Sequence, residues 1–138
     1  MKKRNIKTDT TKDLQFHEDE RGIIADIFYD HPIDHSSYIT AKKGSIRGNH
    51  YHKLSTQNVF LIRGALDYWY KPVSSEGPAE MVKIVPGDIV ESSPLEIHAL
   101  SFSEDSEFIA FSEGVRGGRD YEIDTFRVPS IVPSNEHY

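Results

Sequence analysis

Three histidines carry the most chemistry in this chain. His50 and His52 stand one residue apart in the stretch "RGNHYHKLSTQNVFLIRG", Arg47 to Gly64, and His98 follows in "SPLEIHALSF". A neutral imidazole serves near pH 7 either as a general base or as a metal ligand. A first-row metal needs about three neutral or anionic protein ligands, with water or substrate filling the rest. On a β-strand side chains alternate between faces, so His50 and His52 point the same way, together with Ile46 and Gly48. Gly48 is expected to leave room for a ligand on that face. Gln57 offers a carbonyl oxygen as a weak, neutral fourth ligand. Where a carboxylate is missing, affinity for a dication falls. The competing reading is a core histidine satisfied by a hydrogen bond.

Other side chains fit around this trio. If "ALDYWYKP" is a strand with its apolar face inward, Tyr68 and Tyr70 enter the pocket with Leu66. There each is a candidate acid or a stacking surface, against the alternative of core packing. Tyr38, on an earlier strand, is a lesser candidate for the same pocket. Arg47 is placed to pair with a diphosphate, because a guanidinium matches phosphate oxygens with two parallel donors. Arg63 and Arg21 are weaker forms of that idea, and each has a surface ion pair as its alternative. In "VRGGRDY", Val115 to Tyr121, successive backbone N–H groups could cradle an anion, but a plain loop explains the stretch as well.

The elements that must hold these groups read as strands. Short runs rich in β-branched and aromatic residues recur at about 8–12 residue intervals, separated by Gly, Pro, Asn, Asp and Ser. "HEDERG" reads as a turn, "GIIADIFYD" as a strand and "DHPIDHSS" as a loop. "QNVFLIRG" and "ALDYWYKP" read as hairpin partners, and "EIHALSF" and "EFIAFSEG" as two strands about a "SEDS" turn. There is no convincing helical period. The fold class is all-β, a sandwich or barrel.

The chain has 138 residues, 37% hydrophobic and 28% charged, which suits one domain with one real core. No apolar run approaches the ~20 residues of a membrane span. "MKKRNIK" is basic but no apolar stretch follows it, so it is no secretory signal. Residues 1–15 are expected to be a polar tail or an edge strand, residues 16–128 the domain, and residues 129–138 a tail that packs on another surface. There are no cysteines, and the formal net charge is -6. The first excludes thiolate chemistry and suits a cytoplasmic setting. The second argues against nucleic acid as the main partner.

The stretch also resembles a family. Gly44, His50, His52, Gln57 and Gly64 fall on the positions of the first cupin motif, with Gln57 in place of its glutamate. Gly87, Pro94 and His98 resemble the second motif, with Leu95 where a glycine is usual. Among cupins, "RGNHYHK" is similar to the dTDP-4-keto-6-deoxyhexose ketoisomerases and 3,5-epimerases, and to the cupin domain of capsular polysaccharide-synthesis reductases. The match runs through Arg47, Gly48, Asn49, His50, His52 and Lys53.

The resemblance implies a jelly-roll barrel, usually a homodimer, and often a role in surface-polysaccharide synthesis. The function expected is isomerisation or epimerisation of a nucleotide-linked keto-sugar, with His50 as base and Tyr68 or Tyr70 as acid. Arg47, Lys53, Tyr38 and Arg63 would contact the substrate. A zinc-like divalent metal (iron, nickel and manganese stay open) would sit on His50, His52, His98 and Gln57. The alternatives are a non-catalytic cupin that holds a metal or sugar, and a metal-dependent oxygenase.

Overall fold

The computed structural model describes residues 1–114 and 123–134. "VRGGRDY" therefore lies outside the described residues. Two five-stranded antiparallel sheets face each other. The first runs β1 (Lys2–Asn5), β9 (Asp88–Ser92), β6 (Thr56–Arg63), β11 (Ser106–Glu113), β4 (His35–Ala41). The second runs β12 (Phe126–Arg127), β5 (Ile46–Tyr51), β10 (Glu96–Phe102), β7 (Leu66–Pro72), β8 (Glu80–Ile84). From β4 onward the chain crosses between sheets at almost every step, and only β7 and β8 follow one another in the same sheet. That alternation winds two sheets into a jelly roll. A small hairpin, β2 (Phe16–Asp19) and β3 (Gly22–Ala25), stands apart from both.

The core lies between the sheets. Leu61, Leu66, Tyr68, Ile84, Val90, Phe102 and Phe108 form one buried cluster. Each such side chain contributes roughly 1.5–3 kcal/mol of burial. They alternate along their strands with residues of the outer face, as a sheet packed on one side requires.

Strand β7 departs from simple alternation, because both of its faces are buried. Leu66 and Tyr68 face the core, while Trp69 on the other face packs with Ala99 and Val132. Val132 belongs to the C-terminal segment, which straps the outside of the second sheet. Residues 135–138 of the expected tail lie outside the described residues. The N-terminal stretch supplies an edge strand, β1, paired with β9. "HEDERG" is more than a turn, since His17 to Asp19 already belong to β2.

One irregularity interrupts the second sheet. Between β5 and β10 the register steps from His98↔His50 to Ala99↔Gly48, leaving Asn49 as an extra residue. Asn49 has φ 57 and Gly48 φ 94, both left-handed. Asparagine tolerates that region better than most residues. Such a bulge re-aims the side chains beside it.

Candidate active site

The bulge sits immediately before His50. Gly48 lines the cavity between the sheets, as its position had suggested, and the neighbouring strand also bars a side chain there. A Cβ there would lie 2.7 Å from the His98 carbonyl oxygen and 3.1 Å from the Ala99 Cα. Glycine is required because β5 and β10 approach closely at this point. That approach puts His50 directly opposite His98.

The three imidazoles converge. Ring centroids are 4.7 Å apart for His50 and His98, 5.0 Å for His50 and His52, and 5.5 Å for His52 and His98. Their candidate ligand atoms all lie within 4.8 Å of one another, and all three residues are buried. His52 Nδ1 donates to the Asp124 carbonyl at 2.7 Å, and His98 Nδ1 to the Glu96 carbonyl at 3.3 Å. A carbonyl can only accept, so each bond places the proton on Nδ1 and the lone pair on Nε2. His98 Nε2 is buried with no hydrogen-bond partner. Burial, and then the neighbouring His50 and His52, push the His98 pKa down to about 3. His98 is therefore neutral near pH 7, the form that binds metals. On these grounds the donor set fits a divalent ion.

His50 and His98 line a cavity of about 310 Å³ between the sheets. Gln57 and Val59 of β6 face it from the opposite sheet, as strand parity predicts. Ile39, Leu100 and Phe108 give it apolar walls, and Arg47 and Arg127 add cationic groups. Arg47 also donates to the Thr40 carbonyl at 2.9 Å.

Several candidates lie elsewhere. Tyr68 is fully buried in the core, with its hydroxyl paired to Ser92 and its ring 6.3 Å from that of His98. Burial raises its pKa, so it stays protonated. Tyr70 is half-buried across the ladder from His98, and burial, followed by Glu80, raises its pKa too. Neither tyrosine is among the residues lining the cavity. Tyr38 and Arg63 meet on Glu107 on the outside of the first sheet. Tyr38 is 62% exposed, because β4 turns the neighbouring Ile39 inward instead. Lys53 holds its ammonium 4.3 Å over the Phe126 ring, and Arg21 pairs with Asp19 at 2.6 Å.

Two contributors were not anticipated. Asp124 is buried, and its carboxylate accepts bonds from the amides of Lys53, Leu54 and Ser55 and from the Ser55 hydroxyl. Burial alone would raise its pKa, but those bonds outweigh it and hold the carboxyl below its usual range. It fixes the chain leaving His52 while its carbonyl orients the ring. Arg127 is the other, and it pairs with His50 in the β12–β5 ladder.

Two sheets closed over a histidine-lined cavity define a cupin-type jelly roll. The chain belongs to the polysaccharide biosynthesis C-terminal domain family, whose model matches residues 17–111. A UDP-2-acetamido-2,6-beta-L-arabino-hexul-4-ose reductase of Pseudomonas aeruginosa is 29% identical over 84 residues, covering 54% of this chain and 23% of that protein. The chain thus spans about a quarter of the length of that curated relative. Among solved structures, a 3,4-ketoisomerase from Helicobacter canadensis superposes with a TM-score of 0.70 at 15% identity, covering 93% of this chain and 92% of that one. A sugar 3,4-ketoisomerase from Thermoanaerobacterium thermosaccharolyticum, in complex with TDP, gives 0.68 at 19%, covering 91% and 88%. At these identities the structural likeness is one of fold. Among the described residues no helix is long and apolar enough to cross a membrane.

Proposed function

We propose that this chain isomerises or epimerises a keto-sugar carried on a nucleotide diphosphate, in the synthesis of a surface polysaccharide. The observation that carries this reading is His50, set in the cavity between the sheets with Arg47 on the same strand. His50 removes the proton from the carbon beside the carbonyl, and the electron pair moves onto the carbonyl oxygen. Gln57 faces the same space and can donate to that oxygen as its charge grows. Returning the proton to the former carbonyl carbon, while the hydroxyl proton of the deprotonated carbon passes to the former carbonyl oxygen, moves the carbonyl and gives the isomer; protonating the other face of the same carbon gives the epimer. For the epimer, bound water supplies the proton to the opposite face. The two ketoisomerases of like fold, one of them holding TDP, support the substrate class. A cytoplasmic homodimer is part of the proposal.

His52 and His98 would hold a divalent metal of the zinc type; in the four-ligand form His50 and Gln57 would join them, and His50 would then not serve as the base. When bound, it polarises the carbonyl. The same converging donors favour a second reading, a cupin that holds a metal without turnover. Incubation with a panel of 4-keto sugar nucleotides in heavy water separates the two. Deuterium incorporated at the carbon beside the carbonyl is expected, with His50→Asn slower by about 100-fold or more. No incorporation across the panel, alongside stoichiometric metal in the purified protein, would establish the second reading instead.

A further inference from the structure

We propose that the outer face of the first sheet carries a second small-molecule site, which takes a phosphate monoester on a polyhydroxylated ring. A cavity of about 470 Å³ lies there, within the roughly 300–1,000 Å³ range of small-molecule sites. Three neighbouring strands build its floor. Lys2 and Arg4 of β1 stand across the ladder from Glu91 and Ile89 of β9, and Asn58 of β6 stands across from Glu91. Asn58 lies between Gln57 and Val59, which face the histidine-lined cavity on the other side of the sheet. The two cavities share strand β6 and no lining residue.

The wall is fastened to that floor. Arg4 donates to the Ile27 carbonyl and lies 6.0 Å from the centroid of the Phe28 ring. Phe28 packs edge-on against Phe111 at 5.1 Å and stacks on His31 at 4.6 Å. Two polar groups in this frame have no partner among the described residues. Asn58 is 5% exposed, and its side-chain amide makes no hydrogen bond to any of them. His31 Nε2 is buried and equally unpaired. Buried polar groups are normally hydrogen-bonded, so an amide and an imidazole left open on one cavity point to a ligand. An amide both donates and accepts, which suits hydroxyl groups.

Charge names the rest of the ligand. Lys2, Lys3 and Arg4 outnumber the lining carboxylates Asp13 and Glu91, in a chain with a formal net charge of -6. Lys3 pairs with Asp88 at 3.9 Å, while Lys2, with its side chain 84% exposed, reaches Glu91 only at 4.0 Å. So loose a surface pair is weak, and the Lys2 ammonium can turn to a phosphate beside the Arg4 guanidinium.

Calorimetric titration of the full chain tests this, with glucose 1-phosphate, UMP, glucose and inorganic phosphate as probes. Glucose 1-phosphate or UMP should bind about tenfold more tightly than inorganic phosphate or glucose. Asn58→Leu and His31→Phe should each weaken that binding by about tenfold, and Lys2→Met by about threefold. His31→Phe keeps the stack on Phe28, so it reads the site should Asn58→Leu fail to fold. Arg47→Gln, in the other cavity, should change nothing. Binding that Arg47→Gln weakens and His31→Phe leaves intact places the ligand in the histidine-lined cavity and overturns the proposal. Inorganic phosphate binding as tightly as the esters, or no binding of any probe, overturns it too. Preference for glucose 1-phosphate assigns the body to a sugar, preference for UMP assigns it to a nucleoside, and either upholds the site.

Discussion

His98 joins site chemistry to stability. Its pKa is about 3 in the folded chain against an ordinary value near 6.5, because burial and two neighbouring imidazoles disfavour the charged form. Between those values the unfolded chain binds a proton that the folded chain does not. Stability therefore falls as pH drops from about 6.5 toward 3. In chelator-treated protein, urea midpoints measured from pH 7 to pH 4 should decline, and His98→Gln should flatten that decline. An equal slope in both proteins would count against the buried, neutral His98. At this scale the sequence was partly readable. His50, His52, His98 and Gln57 could be grouped because period-2 alternation and motif spacing are local signals. Asp124 could not, since its bond to His52 spans 72 residues and no local pattern announces it. Tyr38 pointed the wrong way for a related reason. Which face of a strand turns inward depends on the sheet opposite.

Individual strands show where sequence and geometry disagree. Leu95 occupies a left-handed conformation with φ 65, at the turn into β10 where cupins usually place glycine. Its amide donates to the His52 carbonyl at 2.7 Å, which ties this turn to the site. A left-handed non-glycine residue costs about 1–2 kcal/mol. Glycine gives back about 0.5–1 kcal/mol through its freer unfolded chain. Leu95 is 49% exposed, so little burial is lost on truncation. Leu95→Gly should then raise stability by about 0.5–1 kcal/mol, read as a Tm higher by roughly 2–4 °C. A lower Tm would mean that the side chain contributes packing beyond its exposed surface. The strand pattern itself was readable from turn residues and β-branched runs. The Asn49 bulge was not, because an extra residue in a ladder shows only once the partner strand is known.

For the molecule as a whole, a metal at the histidine cluster would link ligand binding to folding. An ion held as proposed, by histidines near two strands with Gln57 in the facing sheet, would bind the folded chain and not the unfolded one. At a zinc concentration about 100 times its dissociation constant, linkage adds roughly 2.7 kcal/mol. Differential scanning fluorimetry should show a Tm rise on the order of 10 °C for the wild type. His98→Gln should remove most of it. A wild-type Tm that is the same with zinc and with chelator would sink the metal assignment.

The Asp124 bond to His52 has a further consequence, in the order of synthesis. His50 and His52 leave the ribosome well before residue 124, which orients the His52 ring and pins the amides of residues 53–55. Until then the nascent pair has neither its fixed tautomer nor its final geometry. The geometry of the histidine cluster is thus complete only once the segment around residue 124 has docked.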